Sequence, residues 1–343
     1  MPSDPRPGTT ARVPLPVAEL HLHVEGALGP DLLRSFARLN GFGTAFDGTD
    51  PEPEFVDLQS FLDRRDGDLA VLRTEEDFHE LGAAYLRAAR AAGVVRAESF
   101  IDPMVHLQRG VPVEAVMRGF GSAFAEARAT GMSCDLIVCF TRDLGAEAAE
   151  ATLDAVLPFR EHFIGVGLDS AEVGWPPSLF RDVFARAAAD GLRLVAHAGE
   201  EGGPDYVREA LDVLHVERID HGLRAMEDAE LMARIVDERI ALTVCPLSNV
   251  ALRAVPRMED HPLFAMLELG ARVTVSSDDP AYFGGQVDAN LEALRAAGAT
   301  EAQLETLARN SFDAAFVDEA ERRALTALLD EAVASRAAAP ERS

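Results

Sequence analysis

Histidine and acidic residues recur at the ends of short apolar runs in this 343-residue chain: His21 and His23, His197 with Glu200, His221, and Asp278 with Asp279. His21 and His23 are two apart on a strand-like run, so both imidazoles face one side. His197 ends V-A-H-A-G-E, and Glu200 follows where the chain turns. His221 closes R-I-D-H-G, and the acid pair closes V-S-S-D-D-P. Each feature alone reads as readily as a packing histidine, a turn acid, or a cap before Pro280. Together they supply three imidazoles and one carboxylate for a metal, with another histidine and acid left for proton transfer. Such a set suits Zn²⁺, with Fe²⁺ or Mn²⁺ as alternatives, one ion per chain. It leaves room for a water whose pKa zinc brings to roughly 7. The chemistry this predicts is hydrolysis at a single metal ion, assisted by an acid and a base of the protein.

The elements that must position these residues follow from the apolar pattern. Runs at 17–23, 94–101, 134–140, 163–169, 192–198, 218–222, 240–246 and 272–279 alternate with Ala-, Arg- and Glu-rich stretches of helical period. Eight strands alternating with helices predict the α/β class and a (β/α)₈ TIM barrel. A doubly wound open sheet would gather its site at one switch point. Here the candidates come from four strands, which suits the C-terminal rim of a closed barrel. The connection 24–93 exceeds a plain loop and helix and carries helical patterns at 55–65 and 74–93. It is expected to be an inserted helical cover over the C-terminal mouth. A single domain over 14–335 is expected, with residues 1–13 and 336–343 as flexible termini.

Composition narrows the function. The net charge of −26, from 58 acidic and 32 basic residues, disfavours nucleic acid and anionic membranes as partners and leaves a small molecule. A homo-oligomer is compatible with it. The chain has no lysine, which excludes a Schiff-base lysine, a Walker lysine and a binuclear centre bridged by a carboxylated lysine. No 18-residue apolar run appears, and the N-terminus lacks a signal-peptide core. Cys134, Cys139 and Cys245 form no CxxC pattern, so a reducing cytoplasm is expected.

The stretches AELHLHVEGALGPDLL, VGLDSAEVGWPP, AHAGEEGGP, RIDHGLRAMED, TVCPLSNV and SSDDPAYFGG resemble, in order, the adenosine/adenine deaminase branch of the amidohydrolase superfamily. The resemblance covers most of the chain. It implies His21, His23, His197 and Asp278 as metal ligands. It implies Glu200 as proton donor to purine N1, His221 beside the attacking water as base or electrostatic support, and Asp279 hydrogen-bonded to purine N7. Leu58, Phe61 and Leu62 would form an apolar wall of the pocket.

Two positions depart from the nucleoside-processing pattern. Glu25 stands where those enzymes carry an aspartate facing the ribose, and Glu172 stands where they carry a glycine. A longer acid at each would fill ribose space, and Glu172 would accept a hydrogen bond from N9–H of a free base. LDSAE and EEGGP look like the bacterial and fungal adenine deaminases. The expected activity is therefore zinc-dependent hydrolysis of adenine to hypoxanthine and ammonia in purine salvage. The rival expectations are an adenosine deaminase, a deaminase of N6-substituted or modified aminopurines, and a purine-binding protein on an inactive barrel.

Overall fold

The computed structural model describes residues 14–43 and 54–338; the expected flexible N-terminus and all but the start of the C-terminal one lie outside them. Strands β1 (Val17–Glu19), β2 (Val94–Ile101), β3 (Ser133–Thr141), β4 (Phe163–Asp169), β5 (Arg193–Ala198), β6 (Arg218–His221), β7 (Ala241–Val244) and β8 (Arg272–Val275) pair in parallel in sequence order. Every one falls within one of the expected runs or within a residue of it. Helices join them, and β1 meets β8 through the Leu22–Asp278 bridge, where His23 N–H donates to Asp278 O at 2.9 Å. The fold is a (β/α)₈ barrel.

The regular ladder of β1 stops at Glu19, which pairs with Ala97, while His23 bridges Phe100. Four residues on one strand thus pass three on its neighbour, a bulge that re-aims the side chains. Glu19 faces outward to Tyr85 of the helix Glu75–Ala91. His21 and His23 turn inward over Phe100, their ring centroids 5.3 and 5.1 Å from it. Phe100, Ile137, Cys139 and Val195 form an apolar cluster beneath the imidazoles. Gly167 on β4 leaves space for it, because a Cβ there would fall 2.6 Å from Cys139 Sγ.

The long β1–β2 connection resolves differently from a single cover. The helix Glu75–Ala91 packs on the outside of the barrel against the helix Val113–Ala129, as an ordinary crossover helix. The helix Leu58–Asp68 is the segment that reaches the barrel mouth. It starts in a capping box, where Ser60 N–H donates to Asp57 Oδ1 at 2.8 Å. Leu58, Phe61 and Leu62 pack on Leu252 and Phe283. Its far end is tied down where Tyr282 O–H donates to Asp68 at 3.1 Å and Arg65 reaches Asp102 at 3.3 Å. Among the described residues, no helix is long and apolar enough to cross a membrane.

A buried ion cluster closes the opposite end. Glu98 accepts from Arg96 Nη2 at 2.9 Å, from Arg218 Nη1 at 2.7 Å and from Phe316 N–H at 2.6 Å. Arg218 also donates to Leu20 O at 3.1 Å, one residue before His21. Removing Glu98 leaves two buried guanidinium groups without their shared anion. Glu98→Ala is expected to destabilise the fold by about 3–5 kcal/mol, read as the shift in a urea unfolding curve; a change below about 1 kcal/mol would refute the pairing.

Candidate metal centre and active site

Three imidazoles and one carboxylate converge at the C-terminal rim. His23 Nε2 and His197 Nε2 are 3.2 Å apart. Asp278 Oδ1 stands 3.5 Å from His21 Nε2 and 3.7 Å from His23 Nε2. Tetrahedral bonds of ~2.0–2.1 Å to zinc place neighbouring donor atoms about 3.3 Å apart, so the spacing fits one small divalent ion. His21 Nε2 is buried with no hydrogen-bond partner among the described residues. These residues form a candidate site for a divalent metal.

The groups behind the rings direct the Nε2 atoms toward the centre of the site. His21 Nδ1 lies 3.0 Å from the Thr243 carbonyl oxygen, which only accepts, so the proton sits on Nδ1. Asp220 lies 3.6 Å from His197 Nδ1, and Asp169 lies 3.6 Å from His23 Nδ1. Thr243 O–H holds Asp220 in turn at 2.7 Å. A carbonyl hydrogen-bonded behind a histidine fixes its tautomer and makes it a better ligand, as at His21, whereas Asp220 and Asp169 stand beyond hydrogen-bond distance of the other two rings. Burial pushes His23 down to about 4 and His197 well below its ordinary value, so both stay neutral. Burial opposes charge on both His21 and Asp278, but each favours the charged form of the other. Asp278 therefore raises His21 and is itself held far below the usual range, and the place between them suits a proton or a metal ion.

His221 is oriented by a chain of buried hydrogen bonds. Leu263 N–H donates to His261 Nδ1 at 3.1 Å, leaving His261 Nε2 to donate to Asn249 Oδ1 at 3.2 Å. Asn249 Nδ2 then donates to His221 Nδ1 at 3.1 Å. Because the chain begins at a backbone donor, every proton in it is assigned. His221 carries its proton on Nε2, which faces Glu200 Oε2 at 3.5 Å. Burial pushes His221 well below its ordinary value, so it is a neutral donor.

Two further carboxyls behave oppositely to Asp278. Burial, with the negative Asp278 nearby, raises both Glu200 and Asp279 well above the usual carboxylate range. Both are therefore poised to hold a proton. Gly26 lets Asp279 lie against the turn Val24–Ala27, since a Cβ at position 26 would fall 2.1 Å from Asp279 Oδ1. These groups surround a narrow cavity of about 20 Å³, room for about one water, walled by Leu58, Phe61, Leu62 and Leu252.

A family model described as adenosine deaminase matches residues 16–332. An adenine deaminase of Streptomyces coelicolor is 55% identical over 91% of this chain and 93% of its own length. One from Rhodospirillum rubrum is 51% identical over 92% and 96%. The chain belongs to the adenosine deaminase family. The crystal structure of an adenine deaminase from Arthrobacter aurescens superposes with a TM-score of 0.91 at 48% identity, covering 93% of this chain and 99% of that one. An amidohydrolase from Burkholderia ambifaria with bound Zn superposes at 0.85 with 28% identity, covering 95% and 93%.

Within this family frame, the two departing acids sit differently from the expectation. Neither Glu25 nor Glu172 lines the cavity. Glu25 accepts from Asp102 N–H at 3.0 Å and lies 3.3 Å from His106 Nε2. Glu172 accepts from three backbone N–H groups. Sequence reasoning also passed over Asp220, Asp169, Asn249, His261 and Arg65. Asp220 adjoins His221, and Arg65 lies one helical turn beyond Phe61, so both were findable by spacing. Asp220, 3.6 Å behind His197 and held by Thr243, gives a direct test. Asp220→Asn is expected to weaken metal affinity by about 10–100-fold, measured by competition with a chelator; unchanged affinity would remove Asp220 from the support of the site.

Proposed function

We propose that this protein is an adenine deaminase, converting adenine and water to hypoxanthine and ammonia in cytoplasmic purine salvage, through one barrel domain spanning 14–335. The observation that carries this is the convergence of the four ligand-type side chains beside a protonated Glu200 and a donor His221. It occurs in a chain 55% identical to an adenine deaminase. Free thiols at all three buried cysteines agree with a reducing compartment.

His21, His23, His197 and Asp278 would hold one zinc ion, with Fe²⁺ or Mn²⁺ as alternatives. When bound, such an ion supplies a water of pKa roughly 7 and Lewis acidity. Glu200 gives its proton to purine N1, which draws electron density from C6 and opens that carbon to attack by water. His221 donates its Nε2–H to the oxygen arriving at C6 as electrostatic support, while Glu200, left as a carboxylate once N1 is protonated, takes one proton from the attacking water. The other proton of that water passes to the amino group as the C6–N bond breaks and ammonia leaves. Asp279, held protonated, donates to N7, an acceptor in the N9–H tautomer of adenine. Leu58, Phe61 and Leu62 exclude bulk water from the ring and strengthen these bonds.

Glu200→Gln is expected to retain the metal and lose at least 10²–10⁴-fold in kcat, as for a general acid. In the parent enzyme, kcat should fall as pH rises through the elevated Glu200 value, since the protonated form is the active one. Near-normal turnover in Glu200→Gln would overturn the assignment.

Substrate choice is tested by the loss of ultraviolet absorbance on adenine, adenosine and an N6-alkyl adenine side by side. The apolar wall of Leu58, Phe61, Leu62 and Leu252 must already part to admit the base, and a ribose would force it further. Forcing extra atoms into a packed site costs about 1–3 kcal/mol, so kcat/KM for adenine should exceed that for adenosine by about 10–10²-fold. Equal rates would move the protein to the nucleoside branch.

A further inference from the structure

The turn after β5 carries both the candidate ligand His197 and the proton donor Glu200, and it is gripped from outside the cavity. Glu172, on the loop after β4, is fully buried. Its Oε2 accepts from Gly199 N–H at 3.1 Å and Gly202 N–H at 2.7 Å, and its Oε1 accepts from Glu200 N–H at 3.2 Å. Arg142, after β3, donates Nη2 to His197 O at 2.6 Å. An anion and a cation thus hold successive peptide groups of one turn.

The turn is built for this grip. Gly199 adopts φ +83°, a left-handed conformation that favours glycine. At Gly202 a Cβ would fall 2.7 Å from Glu172 Oε2 and 2.5 Å from the Tyr206 ring. Only a glycine lets that N–H approach the carboxylate. Backbone N–H groups converging on one anion make a strong, directional cradle. With both oxygens engaged in this way, the Glu172 carboxylate is directed at the turn and away from the cavity.

We propose that Glu172 is a positioning residue for deamination: its carboxylate sets the Gly199–Gly202 turn and so aims Glu200 at the ring, without touching purine N9–H. This rests on the adenine deaminase reading. A shift of about 1 Å in a reacting group can cost about 10²-fold in rate. Glu172→Gln keeps the shape and one acceptor oxygen, but it turns an NH₂ against backbone donors. The chemical step should suffer and ground-state binding should not.

The test compares the metal-loaded parent, Glu172→Gln and Glu172→Ala on adenine and 9-methyladenine, with amide hydrogen exchange read across 199–202. We expect Glu172→Gln to keep its metal and its KM for adenine, and to lose about 10²-fold in kcat. The preference for adenine over 9-methyladenine should stay as in the parent. Exchange at Gly199, Glu200 and Gly202 should quicken at least about tenfold, as loss of charge-assisted hydrogen bonds requires. If Glu172→Ala fails to fold, Glu172→Gln alone decides. A preference for adenine that collapses in Glu172→Gln would overturn the proposal in favour of direct N9–H contact. Unchanged exchange in an active enzyme would overturn the grip itself. A parent inert toward adenine, with exchange still quickened in the variant, would overturn the deaminase reading and with it the catalytic role, while leaving the grip as a structural fact.

Discussion

The centre of this molecule is governed by the cost of burying charge. Asp102, Asp169, Asp278, Asp279 and Glu200 all lie within the rim, none more than 7% exposed. So many desolvated carboxyls cannot all ionise. Partners decide which do. Asp278, facing His21, stays an anion, whereas Asp279 and Glu200, whose charged neighbours are mainly acidic, are raised and poised to hold protons. Arg65 splits a second pair the same way. Burial opposes the charge on Asp102, but Arg65 holds it down, while burial and the Asp102 charge push Asp169 up. One set of acids thereby yields an anion at the candidate metal centre and two carboxyls poised to hold protons, the division that the proposed acid–base catalysis requires.

The same cost explains the shell around the imidazoles. A buried neutral histidine presents one donor and one acceptor. Thr243 O fixes which is which at His21, and the Leu263–His261–Asn249 chain fixes it at His221. The two outcomes are opposite. His21 turns Nε2 to Asp278, a place for a cation, and His221 presents an Nε2–H. Chemically identical side chains, with ring centroids 4.5 Å apart, are thus given different jobs by backbone groups behind them.

What was readable in the sequence was what side-chain period encodes. The eight apolar runs marked the strands, and the residues ending them marked the rim, because a parallel barrel brings all C-terminal strand ends together. What was hidden depended on the backbone. The one-residue bulge in β1 leaves the pattern V-A-E-L-H-L-H unbroken, so nothing in it shows Glu19 facing out while His21 faces in. Glu172 and Glu25 drew attention as acids in place of smaller residues. Their partners are largely peptide N–H groups, which every residue except proline carries, so no motif betrays them. The helical pattern at 74–93 has the same period in a cover as in a crossover helix. Only its packing on the helix Val113–Ala129 distinguishes them.

The neighbouring acids Asp278 and Asp279 show how local strain serves the site. Successive residues on an extended strand point to opposite faces, so a regular β8 would aim one of the two away. Asp278 instead takes φ +62°, and His221 at the end of β6 takes φ +63°. Left-handed backbone at a residue with a side chain costs on the order of 1–3 kcal/mol. At Asp278 the offset is visible: its N–H donates to His21 O at 3.2 Å, and its carbonyl accepts from His23 N–H at 2.9 Å. These bonds also join the last strand to the first. The turn that brings both acids to the cavity is therefore held by the closure of the barrel, and the closure in turn places His21 and His23 opposite Asp278. An open sheet with the same side chains would have neither the bonds that offset the strain nor the alignment that brings ligand-type side chains from three elements distant in sequence together.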